Sequence, residues 1–236
     1  MPISIGGGIR IGGGITIDGS STSIVSTGLV FDIDAGNSSS YSGSGSTWTD
    51  VAGTQQNITL INSPTYTSGT PSYFTFNGTS QYGSGSSSGV VGSSVYSKMV
   101  WFRLNSYGTN NNLVSGGNGG HFMYFASSPR LYCGHANWPN YLAFGTVATF
   151  SLNTWYCATL TFSTTNGMKI YINGSLDNTY TANKNAHGGD GSVEIGAFST
   201  SNLLSGRISR ALIYSTELTA SEVLINYNAT KATFGL

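Results

Sequence analysis

Thr154-Trp155-Tyr156-Cys157-Ala158-Thr159-Leu160-Thr161-Phe162, Met168-Lys169-Ile170-Tyr171-Ile172-Asn173-Gly174-Ser175-Leu176, Val193-Glu194-Ile195-Gly196-Ala197 and Leu204-Ser205-Gly206-Arg207-Ile208-Ser209-Arg210-Ala211-Leu212-Ile213-Tyr214 follow one another in this order. In the first segment Ala158, Leu160 and Phe162 alternate with Thr159 and Thr161, the period of a half-buried strand. In the second, Ile170 and Ile172 run into Asn173-Gly174, the dipeptide that tolerates the positive φ angles of a two-residue hairpin turn. The last segment ends in a change of period. Thr219-Ala220-Ser221-Glu222 has the spacing of a capping box, with Leu218 and Val223 at the staple positions around it. Val223, Leu224 and Tyr227 then form an apolar stripe, so a short helix is expected to dock on the sheet through those three residues.

Upstream, Val100-Trp101-Phe102-Arg103-Leu104 and His121-Phe122-Met123-Tyr124-Phe125 are the most hydrophobic runs and are expected at the centre of their sheets. Trp48-Thr49-Asp50-Val51-Ala52-Gly53 and Tyr73-Phe74-Thr75-Phe76-Asn77-Gly78 complete the pattern. This order of pieces resembles the concanavalin A-like, laminin-G-like domains over roughly Gly28 to Leu236. The segment Ile225-Asn226-Tyr227-Asn228-Ala229-Thr230-Lys231 with Phe234-Gly235-Leu236 is similar to copies of that domain in tailed-phage structural proteins. The resemblance implies an all-β, concanavalin A-like antiparallel β-sandwich or jelly roll with one short C-terminal helix, occupying residues 28–236, preceded by an arm and hinge over 1–27.

Only 8% of the 236 residues are charged and the formal net charge is zero. Phosphate binding needs clustered Lys and Arg, so a nucleic-acid partner is not expected. No run approaches the roughly twenty apolar residues of a membrane span, and the N-terminus lacks the regions of a secretory signal, so neither membrane insertion nor export by that route is expected. Cys133 and Cys157 have no CxxC spacing, which gives no zinc signal. Two partly buried thiols are the expectation for them.

The N-terminal arm repeats Ile-x-Ile-Gly-Gly-Gly, with Ile3, Ile5, Ile9, Ile11, Ile15 and Ile17 all at odd positions. In one extended strand, on the order of 50 Å long, all six share a face. Six glycines make such a strand unstable by itself. It is either a flexible leader or edge strand, or an anchor that orders on another subunit or on identical arms, and the regularity of the repeat favours the anchor.

Sugar-cleaving members of the resembling fold use two carboxyl groups flanking the bond. The three glutamates, Glu194, Glu217 and Glu222, lie in no such arrangement. Asp32 and Asp34 are the one alternate-residue pair, and turn or loop capping is the commoner role for them. His121, His135 and His187 show no paired spacing, and no serine sits in a nucleophile elbow. No catalytic residue and no cofactor are therefore expected. Calcium at a loop rim is the open alternative that the resemblance implies, with Asp177 and the His187-Gly188-Gly189-Asp190 loop as its nearest oxygen donors.

For carbohydrate, exposed rings and amides are needed to stack on and hydrogen-bond a sugar. The best such segment is Asn137-Trp138-Pro139-Asn140-Tyr141, with Trp138, Asn140 and Tyr141 as contacts and a satellite core as the competing role for Trp138. Tyr107 and Asn110 form a second candidate. Together with the resemblance, these features lead to the expectation of a non-enzymatic phage virion protein, attached to capsid or tail through its arm as a decoration or fibre-like component. Its partners would be other virion proteins or identical subunits. A host-surface carbohydrate-binding module is the alternative, and a glycoside hydrolase using Asp32 and Asp34 is third.

Overall fold

The computed structural model describes residues 23–236 apart from 55, 88, 90–92, 108–110, 118–119, 127–128, 136–141, 147–149, 183 and 187–190, together with the backbone of 142 and of 3–5, 9–11 and 15–17. The fold is the expected antiparallel sandwich. One layer is an eight-stranded sheet in the order Ser175–Tyr180, Gly167–Ile172, Trp155–Ser163, Val95–Leu104, Ser205–Tyr214, Tyr73–Asn77, Thr65–Thr67, with Leu29–Asp34 also pairing with Ser205–Tyr214. The facing layer is made of two smaller sheets. Val114–Ser115, Val193–Ile195, Tyr82–Gly85, Ile58–Ile61 and Thr47–Trp48 form one, and Asn111–Asn112, His121–Phe125, Leu131–His135 and Leu142–Phe144 the other. Leu113 N–H donates to the Met123 carbonyl at 2.8 Å where the two meet.

Strand alternation fills the space between the layers. Phe31, Phe102, Leu160 and Ile208 from the large sheet pack with Ile58 and Ile195 from one small sheet and Met123 and Phe125 from the other, all fully buried. The hairpin turn is where the sequence puts it: Asn173 and Gly174 have φ of 49° and 77°, the left-handed pair that a two-residue turn needs.

The helix Ala220–Thr230 starts with the expected capping box. Glu222 N–H donates to Thr219 Oγ1 at 3.2 Å, and Thr219 N–H donates to Glu222 Oε2 at 2.8 Å. Leu218 and Val223 are both buried, as a staple requires. The docking stripe differs from expectation, because Leu224 is 45% exposed and the buried helix residues are Val223, Asn226 and Thr230. Hydrogen bonds decide the rotation. The Asn226 amide donates to Tyr214 Oη at 3.0 Å and accepts from Val25 N–H at 2.8 Å, while Thr230 Oγ1 accepts from Trp101 Nε1 at 2.9 Å. Trp101 also stacks on Phe234 at 3.8 Å, with Tyr227 5.7 Å away. The segment Asn226 to Phe234 thus closes over the outer face of the large sheet, and Ile24 and Val25 pack against the same cluster.

The arm departs from one extended strand. Ile3–Ile5, Ile9–Ile11 and Ile15–Ile17 form a three-stranded antiparallel sheet in chain order. Its register opposes Ile3 to Ile11, Ile5 to Ile9, Ile9 to Ile17 and Ile11 to Ile15, with Ser4, Arg10 and Thr16 in one row. Folding back pairs backbone groups that a lone strand leaves open.

Denaturation tests the docking of the helix. Thr219→Ala is expected to cost about 1 kcal/mol. Asn226→Ala is expected to cost about 2 kcal/mol or more, because it strands the Val25 N–H. Leu224→Ala should stay within about 0.5 kcal/mol. A Leu224 variant as damaging as the Asn226 variant would mean that the helix docks on the other face.

Candidate functional site

The four-stranded sheet is two-sided. His121, Met123 and Phe125 on one strand and Leu131, Cys133 and His135 on the next are fully buried, so the intervening Phe122, Tyr124 and Tyr132 take the outer face. Register lines up Asn112, Tyr124, Tyr132 and Phe144 as successive cross-strand neighbours. Tyr124 and Tyr132 stack at 5.3 Å with 21° between their planes, and Phe144 follows 6.5 Å beyond Tyr132. Arg130 lies over the Phe144 ring at 5.1 Å.

Of these rings Tyr124 and Tyr132 line a cleft of about 470 Å³, together with Asn112, Phe122, Ala126, Phe198 and Asn202. Phe122 meets Tyr124 edge-on at 5.7 Å and Phe198 at 6.3 Å. Phe198 is carried by a tight turn in which Ser199, Thr200 and Asn202 all have positive φ. Two backbone hydrogen bonds between Phe198 and Ser201 close that turn, and the buried Glu194 carboxylate accepts from Thr200 N–H at 3.2 Å. The Asn112 amide donates to the Asn202 carbonyl at 2.9 Å and its oxygen accepts from Ser115 Oγ at 3.0 Å, so the polar edge is fixed too. Burial, then the neighbouring Tyr132 and Cys133, push the Tyr124 phenol up to about 12, which keeps its hydroxyl a neutral donor at any physiological pH. An aromatic cleft with polar groups at its rim can take an apolar ligand face against its rings and hydrogen-bond polar groups beside it.

A polar group of side chains lies beneath this floor, inside the sandwich. Lys98, fully buried, reaches from the large sheet to donate to the Val114 carbonyl at 3.2 Å and to His121 Nδ1 at 3.0 Å. Tyr96 Oη meets His135 Nδ1 at 2.9 Å, and His135 Nε2 meets the Asn185 carbonyl at 3.0 Å. A carbonyl only accepts, so Nε2 carries the proton and Nδ1 accepts from the tyrosine. Burial lowers Lys98 to about 7 and raises the Cys133 thiol to about 12. These bonds hold the strands that bear the cleft to the opposite layer.

Of the residues expected from sequence, Trp138, Asn140, Tyr141 and Asn110 lie outside the described residues, as does the loop 187–190. Tyr107 is not an exposed platform: it packs against the main core. Phe122, Tyr124 and Tyr132 are new to the site. The run 121–125 reads as uniformly hydrophobic and hence as core, and the available signal was its two-residue period, which turns every second ring outward. Asp177 accepts from Thr146 N–H at 2.7 Å. Among the described residues no group of three His, Cys, Asp or Glu is placed to hold a metal. Cys133 and Cys157 are buried free thiols, one in the sandwich core and the other under the helix.

Asp32 and Asp34 share one guanidinium. Arg210 Nε and Nη2 donate to the two Asp32 oxygens at 3.0 and 2.7 Å, and Nη1 is 3.3 Å from Asp34. Burial raises the Asp32 carboxyl despite the opposing Arg210. Asp50 accepts from the Asp32 and Ala52 amides and from Thr54 Oγ1; burial pushes its carboxyl up, but these bonds outweigh burial and hold it below its usual value.

Residues 76–224, more than half of the chain, match the laminin-G-type family described as the concanavalin A-like lectin/glucanases superfamily, and the chain belongs to that family. No curated protein matches it in sequence. Among solved structures it is similar to the binding domain of botulinum neurotoxin DC in complex with rat synaptotagmin II, with a TM-score of 0.68 at 14% identity over 86% of this chain and 52% of that one. The same binding domain in complex with SialylT gives 0.68 at 13% identity over 87% and 52%. A structure of botulinum neurotoxin type C concerned with its interaction with two ganglioside molecules gives 0.65 at 14% identity over 86% and 51%. At these identities the likeness is one of fold, and the chain spans about half the length of the toxin chains it matches.

The buried lysine makes stability depend on pH in a stated direction. Its folded pKa of about 7 is below the ordinary 10.5, so above pH 7 the unfolded chain binds more protons and stability rises with pH. The window closes near pH 9, where the raised Cys133 thiol begins to act in the opposite sense. Urea denaturation should show wild type gaining stability between pH 7 and 9, and Lys98→Met flattening that slope. Equal slopes in both would mean that Lys98 stays charged in the folded protein.

Proposed function

We propose that the chain is a non-enzymatic carbohydrate-binding module carried on a phage virion, with the cleft over Tyr124 and Tyr132 as its sugar site. The stacked pair of rings at 5.3 Å, flanked by Phe122 and Phe198 and edged by Asn112 and Asn202, is the observation that carries this reading. Its family is that of lectins and glucanases, and fold neighbours include one in complex with SialylT and one concerned with ganglioside. Against hydrolysis, both carboxylates of the one alternate-residue pair are engaged by Arg210. The phage setting rests on the sequence resemblance of residues 225–236 and on the isoleucine repeat, which acts as the fastening to identical subunits or to capsid or tail proteins.

A glycan array probed with the full chain tests the site. Wild type is expected to bind a subset of host-surface glycans, and Tyr124→Ala or Tyr132→Ala to lose about 1–3 kcal/mol, the contribution of an aromatic stacking contact and its hydrogen bond. Unaltered binding in a folded Tyr124→Ala, Tyr132→Ala double variant would put the site elsewhere.

The anchor is tested apart from the sugar. Ile9→Asp with Ile11→Asp places two charges in the apolar row of the repeat, at a cost of several kcal/mol to any dry interface. Oligomer size by light scattering, or incorporation into particles, should fall while the sandwich melts normally. Assembly equal to wild type would make the arm a passive leader.

A further inference from the structure

The outer face of the large sheet carries an arrangement unrelated to the aromatic cleft. Register places Trp155, Arg103, Arg207 and Thr75 side by side across four strands. Arg207 reaches that face through a bulge. Pairing runs Trp101 with Arg210 and then Phe102 with Ile208, so Ser209 is the extra residue. Below the bulge Ile208 points into the core and Arg207 outward, whereas an unbroken register would oppose Arg103 to Ile208.

The result is two like charges directly opposite each other, an arrangement that destabilises a sheet. Among the described residues the ion pairs are Lys169 with Glu217 and Arg210 with Asp32 and Asp34, and neither Arg103 nor Arg207 has one. The Nε atoms of both are shielded from solvent and have no hydrogen-bond partner. Arg207 lies over Tyr73, with its central carbon 4.6 Å from the ring centroid, and Arg103 donates to Asn153 Oδ1 at 3.1 Å. Tyr73 and Trp155 sit 5.6 Å apart and Phe234 is 5.2 Å beyond Trp155. Burial and then the Arg207 charge push the Arg103 guanidinium below its usual value, the direction that an anion would reverse.

We propose that Arg103 and Arg207 bind the carboxylate of an acidic sugar, with Tyr73 and Trp155 as the apolar wall against its ring. Guanidinium Nη groups are charged donors suited to a planar carboxylate, and an anion between the two arginines would offset the repulsion that this cross-strand pair carries without an ion-pair partner. A bare phosphate would use the charge but not the rings. The proposal does not rest on the cleft over Tyr124, which lies on the outer face of the opposite layer.

Titration calorimetry on the full chain tests it with three probes: a disaccharide ending in glucuronic acid, a neutral glucose disaccharide, and inorganic phosphate. Wild type is expected to bind the acidic disaccharide in preference to both others. Arg103→Gln with Arg207→Gln should weaken that binding about tenfold or more, and Arg207→Lys by less, since it keeps charge but loses the fork. Each titration is run in wild type and again in a Tyr124→Ala background, so that heat from the aromatic cleft is separated from that of the arginine pair. The double glutamine variant should melt no lower than wild type, because repulsion has been removed; if it does not fold, Arg207→Gln alone is measured in the same way. Phosphate binding as tight as the acidic sugar, equal binding of the neutral sugar, or unchanged binding in the glutamine variants overturns the proposal. So does a lower melting temperature in a variant whose parent shows no acid-specific binding.

Discussion

The strand Val95–Leu104 runs through the middle of the large sheet and is buried on both faces, so its two-residue period divides the molecule. Tyr96, Lys98, Val100, Phe102 and Leu104 face the opposite layer; Met99 and Trp101 face the helix, and Arg103 continues that outward row. The inward row supplies both the apolar core and the two polar side chains that reach the strands of the cleft. The outward row supplies the indole that the C-terminal segment closes over. A one-residue slip of this strand would put Trp101 into the core and Lys98 under the helix, losing both at once.

Lys98 is the costly member of this arrangement. A buried ammonium is tolerated by deprotonation or by hydrogen bonds, and here its partners, the Val114 carbonyl and His121, belong to the two strands that flank the cleft's inner side. With Tyr96 holding His135 in the same way, the aromatic floor stands on strands whose backs are fixed by directional bonds as well as by packing. Rings held in one geometry lose little freedom on binding, which is the advantage of a site built on strands over one built on loops. The fixed turn at Phe198, tied down by Glu194, extends the same rigidity to the rim of the cleft.

What was legible in the sequence was local. The Asn173-Gly174 turn and the Thr219-Glu222 capping box are set by a few adjacent residues, and both are present as read. The buried face of the helix was not, because Asn226 outcompetes Leu224 through partners some 12 and 201 positions away in the chain. Nor was the fold of the arm. A six-residue isoleucine repeat keeps the same parity in one long strand and in a meander, so parity could not separate them. Tyr124 and Tyr132 were hidden in runs hydrophobic enough to pass for core on both faces, and the outward turn of Arg207 depends on a bulge that leaves no mark in the residue pattern. Long-range pairing decided each of these.

The central claim is that sugar is bound on the ring floor between Phe122 and Tyr132. The most direct measurement is NMR of the chain carrying carbon-13-labelled phenylalanine and tyrosine rings, titrated with the best glycan from the array. Saturable shifts confined to the signals of Phe122, Tyr124, Tyr132 and Phe198, with those of Tyr41 and Phe74 in the core unmoved, are the predicted result. Saturable binding that leaves the four cleft rings unshifted would contradict the account.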